Sequence, residues 1–173
     1  MKTWIKGIVI AAVQMSLVAS LGAKLLYDRA VQPRVWVLTA PRDPDLPIRG
    51  RYLSLQLVLE PRGIKESQIT EGSWLPVRLR VEGERLVAQA YPENTPYRSS
   101  DVHLHFIRRG GEKLAVLVET VAFFIPENIP DPSLRQAGEE LWVEVTIPKQ
   151  GPPRPIRLGV KKGDAPIVPL PIH

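Results

Sequence analysis

Tyr52-Leu53-Ser54-Leu55-Gln56-Leu57-Val58-Leu59-Glu60 decides the fold of this chain. It puts Leu53, Leu55, Leu57 and Leu59 on one face and Tyr52, Ser54, Gln56 and Val58 on the other. Successive side chains of an extended strand point to opposite faces, whereas an amphipathic helix needs apolar residues three and four apart. The stretch is therefore a half-buried β-strand with the leucine row as its core face. Upstream, Val35-Trp36-Val37-Leu38 reads as a first strand, ended by Pro41-Arg42-Asp43-Pro44-Asp45-Leu46-Pro47, whose prolines cannot donate to a ladder.

Downstream the same alternation returns. After a polar loop over residues 61–74, Val77, Leu79 and Val81 alternate with Arg78, Arg80 and Glu82; Gly83 interrupts, and the pattern resumes over residues 85–91. This predicts a hairpin whose turn uses the positive φ open to glycine. Arg109-Gly110-Gly111-Glu112 predicts a second hairpin between residues 102–108 and 113–124. Only residues 132–140 read as helical, with Ser133 as a cap and Gly138 as the limit. Strands then resume over residues 141–147 and 156–160, and Lys161-Lys162-Gly163-Asp164 turns the chain into residues 167–170. Roughly eight to ten short strands at even spacing, with no internal repeat, predict a mainly β fold: an antiparallel β sandwich or barrel.

The N-terminus obeys a different rule. Residues 7–23 carry no charge, and Trp4, Ile5, Leu25, Leu26 and Tyr27 lengthen the apolar run at both ends. About 20 such residues cross a bilayer; Lys6 and Lys24 can snorkel to the interfaces, and Trp4 and Tyr27 suit the aromatic belts. A cleaved leader is the competing reading, since Lys2 and Lys6 resemble a basic n-region. Neither Val18-Ala19-Ser20 nor Leu21-Gly22-Ala23 is an Ala-x-Ala site, however, and the run exceeds an ordinary h-region. The expected organisation is a transmembrane anchor over residues 1–27, in contact with lipid through residues 5–27, a linker over residues 28–34 and a β domain over residues 35–173. Ala12, Ser16, Ala19 and Ser20 recur at helical spacings that admit a second transmembrane helix.

Composition narrows the function classes. The chain has 173 residues, no cysteine and 18 prolines, so disulfides, thiolate metal sites and cysteine nucleophiles are excluded and the strands are kept short. The net charge of +5 is spread among acids, as in Arg78-Leu79-Arg80-Val81-Glu82-Gly83-Glu84-Arg85. No nucleic-acid partner is expected from so interleaved a surface.

Gly50, Tyr52 and Leu55 recover most of the pattern Gly-Asp-Tyr-x-x-Leu-x-Tyr, and the chain resembles the GDYXXLXY family on three stretches. Val37-Leu38-Thr39-Ala40-Pro41-Arg42-Asp43-Pro44 is similar to the family's strand followed by Pro-x-Asp-Pro. Phe123-Phe124-Ile125-Pro126-Glu127 is similar to its Phe-Val-Pro-Glu element, giving Phe124, Pro126 and Glu127 as motif positions, and residues 158–163 resemble its final strand and turn. The resemblance implies a single-pass protein of the bacterial cytoplasmic membrane with an extracytoplasmic C-terminal domain, no assigned reaction, and a polytopic membrane protein as companion. Two positions depart from the pattern. Arg51 stands for the aspartate and Leu57 for the last tyrosine, so the motif here marks a strand entry instead of a catalytic carboxylate.

Asp101-Val102-His103-Leu104-His105 is the sharpest candidate for chemistry, because Asp101, His103 and His105 share a face of a strand and are competent metal ligands. A third strong ligand is missing, as the remaining histidine is the terminal His173. The expected reading is polar residues on an exposed face, with no cofactor. Ser54 has no lysine placed beside it as a base, and phosphate loops and dinucleotide fingerprints are not seen. The expected function is a non-catalytic interaction or assembly module beside the polytopic protein. The alternatives are a metal-dependent enzyme using Asp101, His103 and His105, and a β barrel that binds lipid or a small ligand.

Overall fold

The computed structural model describes residues 3–41, 52–65, 72–92, 95–96, 101–109, 111–149 and 151–172. Gly50, Arg51 and His173 lie outside them. Two compact units divide the chain, Met1–Gln32 and Pro33–His173. The first is one helix, α1 (Thr3–Val31), whose apolar window Trp4–Val31 of 28 residues is nowhere buried. It extends past the expected anchor boundary: residues 28–31, read as linker, are helical, and the Gln32 N–H still donates to the Asp28 carbonyl at 3.0 Å. The helix former run does not stop at Tyr27; Pro33 stops it.

The second unit is mainly β, as the alternation requires. Its strands are β1 (Arg34–Pro41), β2 (Tyr52–Leu57), β3 (Glu60–Arg62), β4 (Trp74–Glu82), β5 (Arg85–Ala90), β6 (Val102–Arg109), β7 (Glu112–Leu117), β8 (Val121–Phe124), β9 (Glu139–Thr146), β10 (Arg154–Lys162) and β11 (Val168–Pro169). They form two curled sheets, a six-stranded one ordered β11-β10-β9-β1-β2-β8 and a five-stranded one ordered β3-β5-β4-β6-β7.

One stretch belongs to both sheets. Residues 52–57 pair with β1 and β8 in the first. Val58 then donates its N–H to the Leu38 carbonyl (2.9 Å) and Leu59 donates to Ala115 (2.9 Å), with Val58 bridging Val116 of β7. Glu60–Arg62 pairs in parallel with β5. The chain thus leaves one sheet, touches one edge of the other and becomes its opposite edge, which curls that sheet on itself. Leu53, Leu55, Leu57 and Leu59 all point into the core as their spacing demands, beside Val37, Val143, Leu104 and Leu117. The parallel β3–β5 pair departs from the all-antiparallel expectation; proximity across the crossover, not a hairpin, brings those strands together.

The hairpin signals hold. Glu82 pairs with Arg85 across Gly83 (φ 61°), and Arg109 pairs with Glu112 beside Gly111 (φ 88°). The run over residues 113–124 is not one strand, however. It bends at Val118 and Glu119, so β7 stays in the five-stranded sheet while β8 joins β2 in the other.

Residues 132–138 form turns and irregular chain instead of a helix, and Glu139 and Glu140 already belong to β9. The Asp131 carboxylate accepts from the backbone N–H and the hydroxyl of Ser133 (both 2.8 Å), and the Glu139 carboxylate accepts from the Gln136 N–H (3.3 Å). Side chains thereby capture donors that a helix would use, and Gly138 at φ 82° turns the chain into β9.

On the outer face of the six-stranded sheet, Trp36, Glu144 and Arg157 form a cross-strand row. The Arg157 guanidinium sits 5.3 Å over the Trp36 ring while its Nε donates to Glu144 at 2.6 Å. The ring so held covers Gly159, where an added Cβ would meet Ile167 Cγ2 at 2.7 Å and Trp36 Cζ3 at 2.9 Å. Gly159→Val is expected to lower stability by about 1–3 kcal/mol through overpacking, read as a lower urea midpoint at unchanged m-value.

Candidate functional site

The motif strand forms one wall of a cleft of about 470 Å³. Tyr52, Leu53, Ser54 and Leu55 of β2 line it with Leu38, Thr39 and Ala40 of β1, and the turn segment after β8 supplies Asp131, Ser133, Arg135 and Gln136. β1 and β2 pair along this wall, Thr39 opposite Leu57 and Ala40 opposite Gln56. The Thr39 hydroxyl, buried at 6% exposure, donates to the Leu141 carbonyl at 2.9 Å. That bond ties β1 to the start of β9, where Glu139, Glu140 and Leu141 complete the rim.

The carboxylates of this rim are engaged locally. Asp131 is held by Ser133, Glu139 by the Gln136 N–H, and Glu140 accepts from Trp142 Nε1 at 3.0 Å. Arg135 differs. Its Nε is buried and has no hydrogen-bond partner among the described residues. Reading residues 132–140 as a helix hides this residue, since a helix would turn it by period and the turns place it by side-chain capture.

The two distant parts of the sequence motif meet in space. Tyr52 pairs with Phe124 in the β2–β8 register, their ring centroids 6.2 Å apart and tilted by 50°. Phe123 packs against the core while Phe124 is 73% exposed, and Pro126 follows as the strand ends with Ile125 buried. Glu127 is exposed beyond it.

Asp101, His103 and His105 are arranged differently from a three-ligand set. Asp101 hydrogen-bonds the Tyr91 phenol at the edge of a wider, open cleft of about 960 Å³. Burial pushes the Tyr91 phenol above its ordinary value, Asp101 adds to the rise, and Arg78, 5.2 Å over the ring, opposes it. His103 turns instead to Glu119: its Nδ1 lies 2.9 Å from Oε1, and its backbone N–H donates to both carboxylate oxygens (3.2 and 3.0 Å). His105 stands opposite Trp74 on β4. Among the described residues no group of three or more histidine, aspartate or glutamate side chains is placed to hold a metal ion. Glu119 was invisible in the sequence because its meeting with His103 depends on the bend after β7.

The GDYXXLXY protein family matches residues 14–158, most of the chain and both parts of the paired motif. The chain belongs to the GDYXXLXY family. No curated protein and no solved structure matches it. In this GDYXXLXY protein the tyrosine of the motif has a structural role: it packs β2 against β8 through Phe124 and borders the cleft.

Proposed function

We infer that this GDYXXLXY protein is a non-catalytic module, held by α1 in a bacterial cytoplasmic membrane with the β domain outside the cytoplasm, that docks on a polytopic membrane protein. The observation that carries this reading is Phe124. A large apolar ring stands 73% exposed on the terminal strand of the six-stranded sheet, next to the motif tyrosine it packs against. A strand with one paired neighbour and an exposed aromatic anchor suits strand addition, in which backbone bonds supply affinity and the ring supplies specificity. The exposed helix α1 supports the same reading, since a chain confined to the bilayer needs little intrinsic affinity to meet a membrane partner.

The test is affinity purification in mild detergent from native expression levels. A multi-pass membrane protein is expected in stoichiometric amount, and Phe124→Ser is expected to reduce its recovery about tenfold or more. Recovery of the chain alone would sink the proposal. The cleft beside β2 supports a second reading, small-ligand binding.

A further inference from the structure

We propose that the cleft between β2 and the 131–141 segment binds a small amphipathic monocarboxylate, its carboxylate taken by Arg135 and its apolar body lying along β1 and β2. The volume of about 470 Å³ falls within the range of small-molecule sites. Leu38, Leu53, Leu55, Val58, Leu114 and Leu141 provide apolar wall. The turn segment and the start of β9 supply Asp131, Ser133, Arg135, Gln136, Glu139 and Glu140, so one wall is richer in polar groups than the strand wall of β1 and β2.

Arg135 is the decisive group. A guanidinium is never deprotonated in a protein, and the buried Nε–H of Arg135 has no acceptor among the described residues, so its charge is not already matched at that atom. Its planar fork matches a carboxylate, which takes two parallel N–H···O bonds. The charge of the ligand follows from the rest of the rim. Arg109 and Arg135 line the same cleft as Asp131, Glu139 and Glu140. The three carboxylates are held by donors on the turn segment and on β9 and offer nothing to an anion, so a dianionic phosphate meets about twice the repulsion that a single carboxylate meets. The site does not depend on docking through Phe124, which lies outside the cleft lining.

The full chain in phosphatidylcholine nanodiscs, titrated by calorimetry with empty nanodiscs subtracted, provides the test. The probes are sodium octanoate, octan-1-ol, sodium acetate and octyl phosphate. Octanoate is expected to bind about tenfold or more tightly than each of the other three. Arg135→Gln is expected to remove that advantage while leaving octan-1-ol unchanged, and Arg135→Lys, which keeps the charge without the fork, to retain part of it. Equal binding of octanoate and octan-1-ol overturns the role of charge; equal binding of acetate overturns the apolar body; equal or tighter binding of octyl phosphate overturns the monocarboxylate assignment. Undiminished octanoate binding by Arg135→Gln overturns the site itself. The four-probe comparison on the unmodified chain stands without any substitution, and none of these outcomes alters the docking result with Phe124→Ser.

Discussion

Leu57→Ala is expected to lower the unfolding free energy by about 3–4 kcal/mol, toward the upper part of the range for buried leucine truncations. Leu57 is fully buried, 0% exposed, at the last residue of β2 and opposite Thr39 of β1. The next two residues carry the chain from that sheet to the other: Val58 is fixed to the Leu38 carbonyl of β1 and Leu59 to the Ala115 carbonyl of β7. A cavity opened here has backbone hydrogen bonds to two different sheets on its C-terminal side, so the chain has little freedom to collapse into it, and the cavity penalty adds to the lost transfer free energy. Urea unfolding of the full chain in non-ionic micelles, followed by tryptophan fluorescence, measures the loss. Leu134→Ala is the control, because that side chain is 77% exposed and its truncation is expected to fall within about 0.5 kcal/mol of the parent. A cost below about 1 kcal/mol for Leu57→Ala would mean that the crossover between the sheets is not where the core is tightest.

The same strand explains what sequence can and cannot tell. Leu53, Leu55, Leu57 and Leu59 alternate with Tyr52, Ser54, Gln56 and Val58, and burial alternates with them because the pleat imposes its period whatever the partner strand is. Gly83 and Gly111 likewise announce their turns, since a positive φ is a local demand that glycine meets at no steric cost. The departures begin where local demands compete. Ser133 reads as a helix cap, yet Asp131 takes both its N–H and its hydroxyl and holds the segment in turns. Val116 and Val121 lie in one β-rich run, but a bend at Val118 and Glu119 sends them to different sheets.

The candidate site divides along the same line. Tyr52 and Leu55 are legible as motif positions on a strand, but the meeting of Tyr52 with Phe124 and the cleft that both motif residues share with Arg135 rest on segments distant in sequence. Asp101 and His103 share a spacing that suggests a common ligand, and the fold separates them by giving each a nearer partner, Tyr91 and Glu119. Spacing specifies which side of a strand a residue occupies. It does not specify what the neighbouring strand brings to that side.

Leu17→Arg is expected to move the chain from the alkali-resistant membrane fraction toward the soluble or aggregated one. At a rise of 1.5 Å per residue, the 28 residues of Trp4–Val31 extend about 42 Å, against a hydrocarbon core of about 30 Å. Leu17 lies near the middle and is exposed along with the large apolar residues around it. An arginine at the centre of a span, replacing a leucine, costs about 3–4 kcal/mol of apparent insertion free energy. The same substitution at Tyr27, beyond Lys24 and next to Asp28 and Arg29, is expected to have a small effect, because that turn of the helix falls where charged side chains reach the interface. Carbonate extraction separates the two variants, and the intact mass of the extracted parent separates anchor from leader. An anchor keeps the full 19.4 kDa chain in the membrane pellet; a leader yields a shorter species that starts near Ser20 or Ala23 and is released. Ser16 and Ser20 already donate their hydroxyls to Ala12 and Leu17 carbonyls within the helix (both 2.8 Å). The hydroxyls of these two serines are thus satisfied within the helix, as a segment surrounded by lipid would require.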